Sequence, residues 1–352
     1  MVATSLSINS RTSGWLRGAW FDSTYIFGTV ALAFLCGSVV ISTPQLFLPV
    51  FVLNGWLLGY HHVVSTYTRL TFDSESFKQH RFLVLWLPFI VLGGVVLLSA
   101  IFGAWVLVSG YLYWQWWHYT RQSYGVSRIY ARKAGISGGD RLNTLMIYAV
   151  PVTGILYRSY QAPRQFLFSD VKVFPVPFWL VAASGIFAAV VVGYWLLRQI
   201  DAWANGNLEI AHSAYLFSHV LCFTVGYLLI SDINHGWLVV NVWHNSQYIL
   251  TVWLYNHNRF KHETDSRHRF LAYLSRRQNL ASYFAACLLI STAFYGAVNI
   301  TLSWVSPAVV AATSLPIIAV VYQAINFHHY IVDAVIWKVR KKTVRANLGI
   351  AS

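Results

Sequence analysis

The chain has 352 residues, of which 57% are hydrophobic, 17% aromatic and only 10% charged. Soluble proteins carry about 25% charged residues, so this composition excludes an ordinary soluble enzyme and predicts an all-α, polytopic integral membrane protein. The net charge is +14, but the basic residues stand in short segments between apolar runs. That placement indicates contact with anionic membrane lipid and no nucleic-acid partner.

Ten segments of the chain are long enough and apolar enough to cross a bilayer, which takes about twenty residues. In chain order these predicted spans are 24–44, 46–68, 82–102, 104–126, 142–160, 175–197, 210–231, 235–256, 281–303 and 308–337. Some follow each other so closely that tight breaks must join them, and we expect Pro44, Gly103 and Pro307 to mark such breaks. The whole chain, 1–352, is predicted to form a single transmembrane domain.

Basic residues predict the orientation of these spans. Of the 25 lysines and arginines, only Arg158, Arg164 and Lys172 fall on one side when the spans are threaded in order. Cytoplasmic loops carry the excess of basic residues, so we expect both termini in the cytoplasm and the protein in a bacterial inner (cytoplasmic) membrane. The expected cytoplasmic parts are segment 1–23 and the basic loops 127–141 and 257–280.

The three cysteines are widely separated and lie in apolar segments, at Cys36, Cys222 and Cys287. No CxxC or CxxCH pattern is present. Because zinc ribbons, iron–sulfur clusters and c-type haem attachment need closely spaced cysteines, we do not expect these cofactors.

Histidines on several spans share one depth, toward the cytoplasmic side, and only His235 falls near the outer side. Imidazole is the commonest metal ligand in proteins, and a centre held between helices needs this kind of clustering. The sequence therefore predicts a metal site on the cytoplasmic side of the membrane. The predicted ligands are His61, His62, His118, His219, His244, His328 and His329.

Several polar side chains stand four residues after one of these histidines, on the same face of a helix, among them Gln122, Tyr248 and Asp333. A ligand histidine normally donates its second N–H to a neighbouring polar group, so these three are candidate catalytic or orienting residues. Asp333 lies well inside an apolar segment, where a charge is costly. We expect it to be a ligand or to orient a histidine.

The predicted ligand set is nearly all nitrogen with one carboxylate, which favours non-haem iron, either mono- or dinuclear. HExxH is absent, which argues against a zinc protease. Iron of this kind binds O2 and oxidises a bound substrate, so we expect an oxygenase or desaturase that acts on a fatty-acyl, alkyl or isoprenoid substrate. No flavin, nicotinamide or ferredoxin motif is present, so electrons would come from a separate donor or from the substrate itself.

Other classes of protein stay open. Two histidines on facing helices can bind haem, as in membrane redox proteins, and copper is a further alternative to iron. His/Asp relays also occur in transporters, although these usually have paired discontinuous helices.

Aromatic and basic residues flank the histidines. Trp117 and Trp243 each directly precede a predicted ligand histidine, so both are candidates to line a lipophilic substrate channel. Arg69, Arg121 and Arg259 follow histidine segments. We expect these arginines to reach the lipid headgroups or to hold an anionic substrate head.

This histidine-rich cytoplasmic-side site resembles that of membrane fatty-acyl desaturases, alkane hydroxylases and related di-iron enzymes. The resemblance is one of chemical plan, because the HxxxH and HxxHH boxes of those enzymes are missing. The pairs His61-His62 and His328-His329 lack the upstream histidine.

A second resemblance is to the Brp/Blh family of membrane β-carotene 15,15′-dioxygenases. That family has a late span in which a histidine stands five residues before an aspartate, and His328 and Asp333 match this spacing. Segment 256–260, Asn-His-Asn-Arg-Phe, is similar to its His/Arg-rich segment. The resemblance implies iron, O2 and an isoprenoid substrate. The chain departs from the family in its larger number of spans and in having Tyr60-His61-His62 where the family has Pro-His-Gly.

Overall fold

The computed structural model describes residues 14–71, 74–136, 140–260 and 269–350. These residues form an all-α protein. The α-helices, in chain order, are α1 (Ala19–Ser23), α2 (Thr29–Ser42), α3 (Phe47–Asn54), α4 (His61–Thr71), α5 (Ser74–Leu85), α6 (Leu87–Phe102), α7 (Trp105–Lys133), α8 (Arg141–Tyr160), α9 (Phe178–Ala204), α10 (Ile210–Phe223), α11 (Ile233–Phe260), α12 (Arg269–Leu274), α13 (Leu280–Thr313), α14 (Ile317–Ile336) and α15 (Lys342–Asn347).

Turns of other helix types join several of these helices. Three π-helical turns cover Thr24–Gly28, Gly55–Tyr60 and Thr224–Leu229. Short 3-10 turns cover Pro44–Leu46 and Arg277–Asn279. A small hairpin between α8 and α9 pairs strand β1 (Gln165–Phe166) with strand β2 (Ser169–Asp170) in antiparallel fashion.

Six continuous helical stretches are long and apolar enough to cross a membrane, and they indicate an integral membrane protein. They are Ala19–Ser42, Pro44–Thr71, Ser74–Phe102, Phe178–Ala204, Ile210–Leu229 and Arg277–Thr313. Each coincides with one of the ten predicted spans. The other four predicted spans coincide with α7, α8, α11 and α14, which are helical but carry more polar residues.

Of the three expected breaks, Pro44 and Gly103 are confirmed and Pro307 is wrong. α2 ends at Ser42, and the next helical stretch begins at Pro44. Pro307 lies inside α13, and the chain breaks instead at Ser314, which has a φ of 58°. A proline is tolerated inside such a helix when neighbouring groups satisfy the freed carbonyl. Gly103 does end a helix, as predicted, with a φ of 87° that suits glycine.

The predicted loops 127–141 and 257–280 are also shorter than expected. α7 continues to Lys133 and α11 to Phe260, so the first part of each predicted loop is helical. α12 then forms in the second loop. Residues 1–13, 137–139 and 261–268, to which parts of the predicted cytoplasmic segments belong, lie outside the described residues.

α11 is the helix around which the others pack. Most of its side chains are buried, and it contacts α2, α4 and α15. Gly37 of α2 permits this close packing, because a Cβ atom there would lie only 2.5 Å from a methyl carbon of Val239. A helix buried on nearly all sides can carry polar residues that face other helices and not lipid.

An arginine holds the C-terminal end of α8 against the segment between α10 and α11. Arg158 is buried and donates hydrogen bonds to the carbonyl oxygens of Gly226 (2.9 Å), Ile230 (2.5 Å) and Ser231 (2.8 Å). Gly236 lies directly beside this contact, since a Cβ atom there would be 2.0 Å from the Gly226 carbonyl oxygen. The guanidinium therefore satisfies carbonyls that the helix end leaves unpaired.

Candidate metal centre

Three histidines and one aspartate from separate parts of the chain meet in the interior. The group consists of His62 on α4, His118 on α7, and His329 and Asp333 on α14. Each residue offers a ligand atom, and these atoms all lie within 4.8 Å of one another. All four side chains are buried, with at most 8% of their surface exposed. We call these four residues the His/Asp centre.

The helices bring these residues together for local reasons. His329 and Asp333 are four residues apart and so lie on one face of α14. α14 packs against both α7 and α4, which supply His118 and His62. The π-helical turn Gly55–Tyr60 directly precedes the histidine pair of α4. Such wide turns often occur next to functional sites.

The nitrogens and oxygens of the His/Asp centre face one another at short distance. His62 Nε2 lies 2.7 Å from His329 Nε2. Asp333 Oδ2 is 3.5 Å from His329 Nε2 and 3.9 Å from His118 Nε2. His118 Nε2 is buried and has no hydrogen-bond partner among the described residues. Buried polar atoms are normally satisfied, so this nitrogen faces a place where a further ligand partner fits.

Around the centre, hydrogen bonds fix the direction in which its members point. Tyr248 donates its hydroxyl proton to Asp333 Oδ1 at 2.7 Å. The same hydroxyl oxygen lies 3.0 Å from Trp337 Nε1, which donates to it, and 2.6 Å from Thr66 Oγ1. Since the Tyr248 proton is already used, Thr66 must be the donor in that contact.

The same order of donors and acceptors determines which nitrogen of His329 is protonated. With its own proton given to Tyr248, Thr66 accepts a hydrogen bond from His329 Nδ1, 3.2 Å away. Nδ1 of His329 is then the protonated nitrogen, and Nε2 keeps a free lone pair on the side of the His/Asp centre. The network thus presents both His329 Nε2 and Asp333 Oδ2 in the form that binds a cation.

His244, a predicted ligand, lies beside the centre but is not one of its four members. Its ring centroid is 4.9 Å from that of His62 and 5.0 Å from that of His118. Tyr119 packs on its other side at 4.0 Å. His244 is therefore a close neighbour of the centre, with its ring packed against the rings of two members.

A buried polar network extends from this side of the centre. Asn241 accepts a hydrogen bond from Asn54 at 2.7 Å and donates to the hydroxyl of Tyr119 at 2.5 Å. Gln115 donates to the same hydroxyl and accepts from Trp237 Nε1 at 2.6 Å. Asn54 Oδ1 is buried without a hydrogen-bond partner among the described residues, while the bonded members connect α7 to α11 and fix their relative positions.

The structure does not bring two other predicted ligands, His61 and His219, to the centre. The ring of His61 packs edge-on against Phe284, with 5.7 Å between centroids. His219 lies 2.9 Å from the carbonyl oxygen of Ile147, to which its Nε2 donates. Both histidines are buried, and each belongs to a helix interface of its own.

His328, the neighbour of His329, has protein partners at both ring nitrogens. Its Nδ1 is 2.8 Å from the hydroxyl of Tyr67, and its Nε2 is 2.7 Å from the carbonyl oxygen of Leu83. Adjacent residues on a helix point about 100° apart. His328 therefore links α14 to α4 and α5 while His329 faces the centre.

A cavity of about 840 Å³ opens beside the His/Asp centre, between α7 and α14. His118, Asp333 and Tyr248 line its buried end. Two of the other predicted site residues, Trp117 and Gln122, also line it. Gln122 Oε1 is buried and has no hydrogen-bond partner among the described residues, so it can accept a hydrogen bond from a molecule in the cavity.

Trp243, the second predicted lining residue, does not line this cavity. It is almost fully buried and packs against His219 and Phe223, with centroid distances of 5.9 Å and 6.2 Å. Its position in the packed face of α11 explains this difference, since that face contacts α10.

Sequence reasoning missed Thr66 and Trp337, which hold Tyr248 in place. A signal was present for both. Thr66 stands four residues after His62, and Trp337 stands four residues after Asp333. The same helical spacing that points to Tyr248 therefore also points to these two residues.

No family model, curated protein or solved structure matches this chain. The geometry alone defines a buried group of three imidazoles and one carboxylate that could hold a metal ion. Ligand atoms bound to one ion at about 2.0–2.2 Å must lie within roughly 4.4 Å of each other. The spacing of the His/Asp centre is thus close to what a single ion requires.

Proposed function

We propose that the protein is an integral-membrane, iron-dependent oxygenase or desaturase that acts with O2 on a lipophilic substrate. The observation that carries the proposal is the His/Asp centre, in which ligand atoms of His62, His118, His329 and Asp333 lie within 4.8 Å of one another. Iron held there would supply open positions for O2 and a strong oxidant. Histidine-plus-carboxylate sites of this kind are typical of non-haem iron oxygenases.

The donor set is compatible with non-haem iron. Three nitrogens and one carboxylate oxygen suit iron, zinc or copper(II), but no thiolate takes part. Cys222 and Cys287 are buried elsewhere as free thiols. Haem is the weaker alternative, because His62 and His329 contact each other directly at 2.7 Å and no porphyrin plane fits between them.

The residues around the His/Asp centre support the proposed binding of a metal ion. Tyr248 holds one oxygen of Asp333 and leaves the other free for the ion. Thr66 fixes the tautomer of His329. Removal of a hydrogen bond of this type usually lowers metal affinity by about 10–100-fold.

The cavity supports a substrate of low polarity. Its wall beside His118 is formed by aromatic residues, among them Trp114, Trp117 and Tyr330. Trp114 and Trp117 are 36% and 44% exposed at the outer surface of the bundle. A lipid-soluble molecule would enter between α7 and α14 from the bilayer and place a carbon atom beside the His/Asp centre.

In this proposal the chain crosses the membrane ten times, with both termini and the His/Asp centre toward the cytoplasm. Four of these spans, α7, α8, α11 and α14, carry polar residues on buried faces. The polar groups turn toward other helices, which makes such spans compatible with a bilayer.

The stoichiometry of the reaction determines whether a separate electron donor is required. If both oxygen atoms of O2 enter the substrate, no further electrons are required. If one atom enters the substrate and the other leaves as water, two electrons and two protons must come from a separate donor. Desaturation likewise needs two electrons from a donor, with both oxygen atoms leaving as water.

Metal analysis of the purified full-length protein tests the proposal. We expect stoichiometric iron in the wild type, its loss in His118→Ala and Asp333→Asn, and its retention in His235→Ala. His235 is a suitable control because it packs against Phe47, far from the centre in sequence and contacts. Stoichiometric zinc or copper, or a Soret band, would overturn the assignment of non-haem iron. Absence of any bound metal in the wild type would overturn the metal centre itself.

A further inference from the structure

The cavity beside the His/Asp centre has a strongly basic outer part. Five of its lining residues are cations, whereas Asp333, at the buried end, is the one acidic residue among the described lining residues. The cations come from the end of α7 and from the segment that follows α14. They are Arg121, Arg128, Arg132, Lys338 and Arg340. We call these five residues the basic rim.

Exposure rises from the His/Asp centre to the basic rim. His118 and Asp333 are 8% and 6% exposed. Arg128 and Lys338 are half-buried, and Arg340 is exposed. The cavity therefore runs from the buried His/Asp centre to a more exposed, positively charged end.

Between these two ends the wall is largely apolar. Aliphatic side chains from both helices line it, including Val126 and Val335, beside the polar side chains of Gln122 and Thr251. Long aliphatic walls with charges at one end match a molecule that has an apolar chain and one polar head. A volume of about 840 Å³ falls within the range of pockets that hold one small molecule, roughly 300–1,000 Å³.

The charges of the basic rim repel one another, which favours an anion between them. The positive charge of the rim also reaches Lys341, which follows Arg340 in the chain. Its pKa is lowered from the usual lysine value, first by partial burial and then by the positive charges of Arg69 and Lys338. Clefts lined by charges of one sign raise the local concentration of oppositely charged ligands.

The length of the cavity agrees with an acyl chain in one leaflet. Arg128 stands ten residues after His118 on α7, which corresponds to about 15 Å along the helix axis. Half of the hydrocarbon core of a bilayer is also about 15 Å thick. A head bound near Arg128 would thus leave the middle or far part of a chain beside the His/Asp centre.

We propose that the ligand of this cavity is a single-chain amphiphile with an acidic headgroup. Its carboxylate or phosphate oxygens bind the basic rim, and its apolar chain lies along α7 and α14 with a carbon atom next to the His/Asp centre. The inference names the substrate class of the proposed oxygenase and rests on that function for the role of the chain. The binding itself needs no metal.

A binding experiment on the full-length protein, purified in uncharged detergent and treated with chelator, tests this directly. The probes are radiolabelled oleic acid and its methyl ester, which differ in the charge of the head. We expect the acid to bind with a Kd about tenfold lower than the ester, a difference of about 1.4 kcal/mol. Added salt should weaken binding of the acid and leave the ester unchanged, since ions screen exposed charges.

Variants of the rim locate the interaction. The double variant Arg128→Gln/Arg132→Gln should lose most of the preference for the acid, whereas Arg128→Lys/Arg132→Lys should keep most of it. Arg198→Gln, an exposed arginine that does not line the cavity, is the matched control and should behave as the wild type. An equal effect of Arg198→Gln, or equal binding of acid and ester in the wild type, would overturn the inference.

Two further measurements identify the kind of anion that binds and distinguish the binding site from the proposed oxygenase. Dodecyl phosphate should compete with oleic acid, whereas inorganic phosphate should not, because it lacks the chain. Competition by a two-chain phospholipid alone would contradict a single-chain ligand. Iron content is measured on the same preparations before chelation. Acid-selective binding by a protein that contains no iron would refute the iron oxygenase and support the binding site. Bound iron without a preference for the acid would support the metal centre and refute the binding site.

Discussion

Tyr248→Phe is the sharpest test of how the His/Asp centre is held. The substitution removes one oxygen atom and leaves the ring, which stacks on His62 with 3.9 Å between centroids. Asp333, Trp337 and Thr66 each lose the hydrogen bond that they share with this hydroxyl. Tyr248, Asp333 and Thr66 are buried, whereas Trp337 is partly exposed at the cavity.

The magnitude follows from the three lost bonds. Leaving a buried polar group without a partner costs about 1–3 kcal/mol, with carboxylates at the upper end. Because the three bonds share one atom, their effects are not additive, and we expect a loss of about 3 kcal/mol in the free energy of unfolding. The substitution would also leave the orientation of Asp333 and the tautomer of His329 unfixed, which should lower metal affinity by about 10–100-fold.

Competition with a chelator of known affinity measures the metal Kd, and thermal unfolding of the metal-free protein measures the stability. Tyr283→Phe is the matched control, because Tyr283 is equally buried and its hydroxyl also takes part in hydrogen bonding, accepting from Asn256 at 2.9 Å. The control should lose about 1 kcal/mol of stability and none of its metal affinity. Wild-type metal affinity in Tyr248→Phe would refute the role assigned to the hydroxyl network.

Three other predictions concern the metal and the packing of α11. His118→Ala should lose bound metal while His61→Ala keeps it, as metal analysis of both variants will show; loss in both would contradict the assignment of ligands. Chelation of protein saturated with iron at a hundred times its Kd should lower the free energy of unfolding by about 2.7 kcal/mol, and an unchanged Tm would argue against an ion bound to the folded state. Gly236→Ala forces a methyl group to within 2.0 Å of the Gly226 carbonyl oxygen and should cost about 3 kcal/mol. Gly296→Ala meets nothing within 4 Å and should raise stability by about 0.5–1 kcal/mol; similar Tm values for the two variants would contradict this packing.

Sequence patterns predict the helices and the depth of the site because both depend on distance along the chain. A run of about twenty apolar residues sets the height of every side chain in a span. His62, His118 and His329 could therefore be placed near one level before any contact was known. Helical spacing also points to Asp333 and Tyr248, although the structure links Tyr248 to Asp333 and not to His244, the histidine from which it was counted.

The direction in which each side chain points is not predictable in the same way. It depends on how each helix is rotated against its neighbours, and a buried helix such as α11 has no polar face to reveal that rotation. His219 and His328 lie at suitable depths but bond to backbone carbonyls of α8 and α5. Trp243 likewise faces α10 and not the cavity. The break at Ser314 escaped prediction because a proline inside a hydrophobic span, Pro307, looks like a stronger signal than a serine.

The wide turn Gly55–Tyr60 sets which imidazole of the pair that follows it enters the interior. Each residue added to or removed from a helix rotates everything beyond it by about 100°. One extra residue in this turn would carry His61 into the place now held by His62, so an imidazole would still be presented. One residue fewer would bring Val63 there, and the ligand would be lost. A doublet of identical side chains thus makes the site tolerant of lengthening and intolerant of shortening.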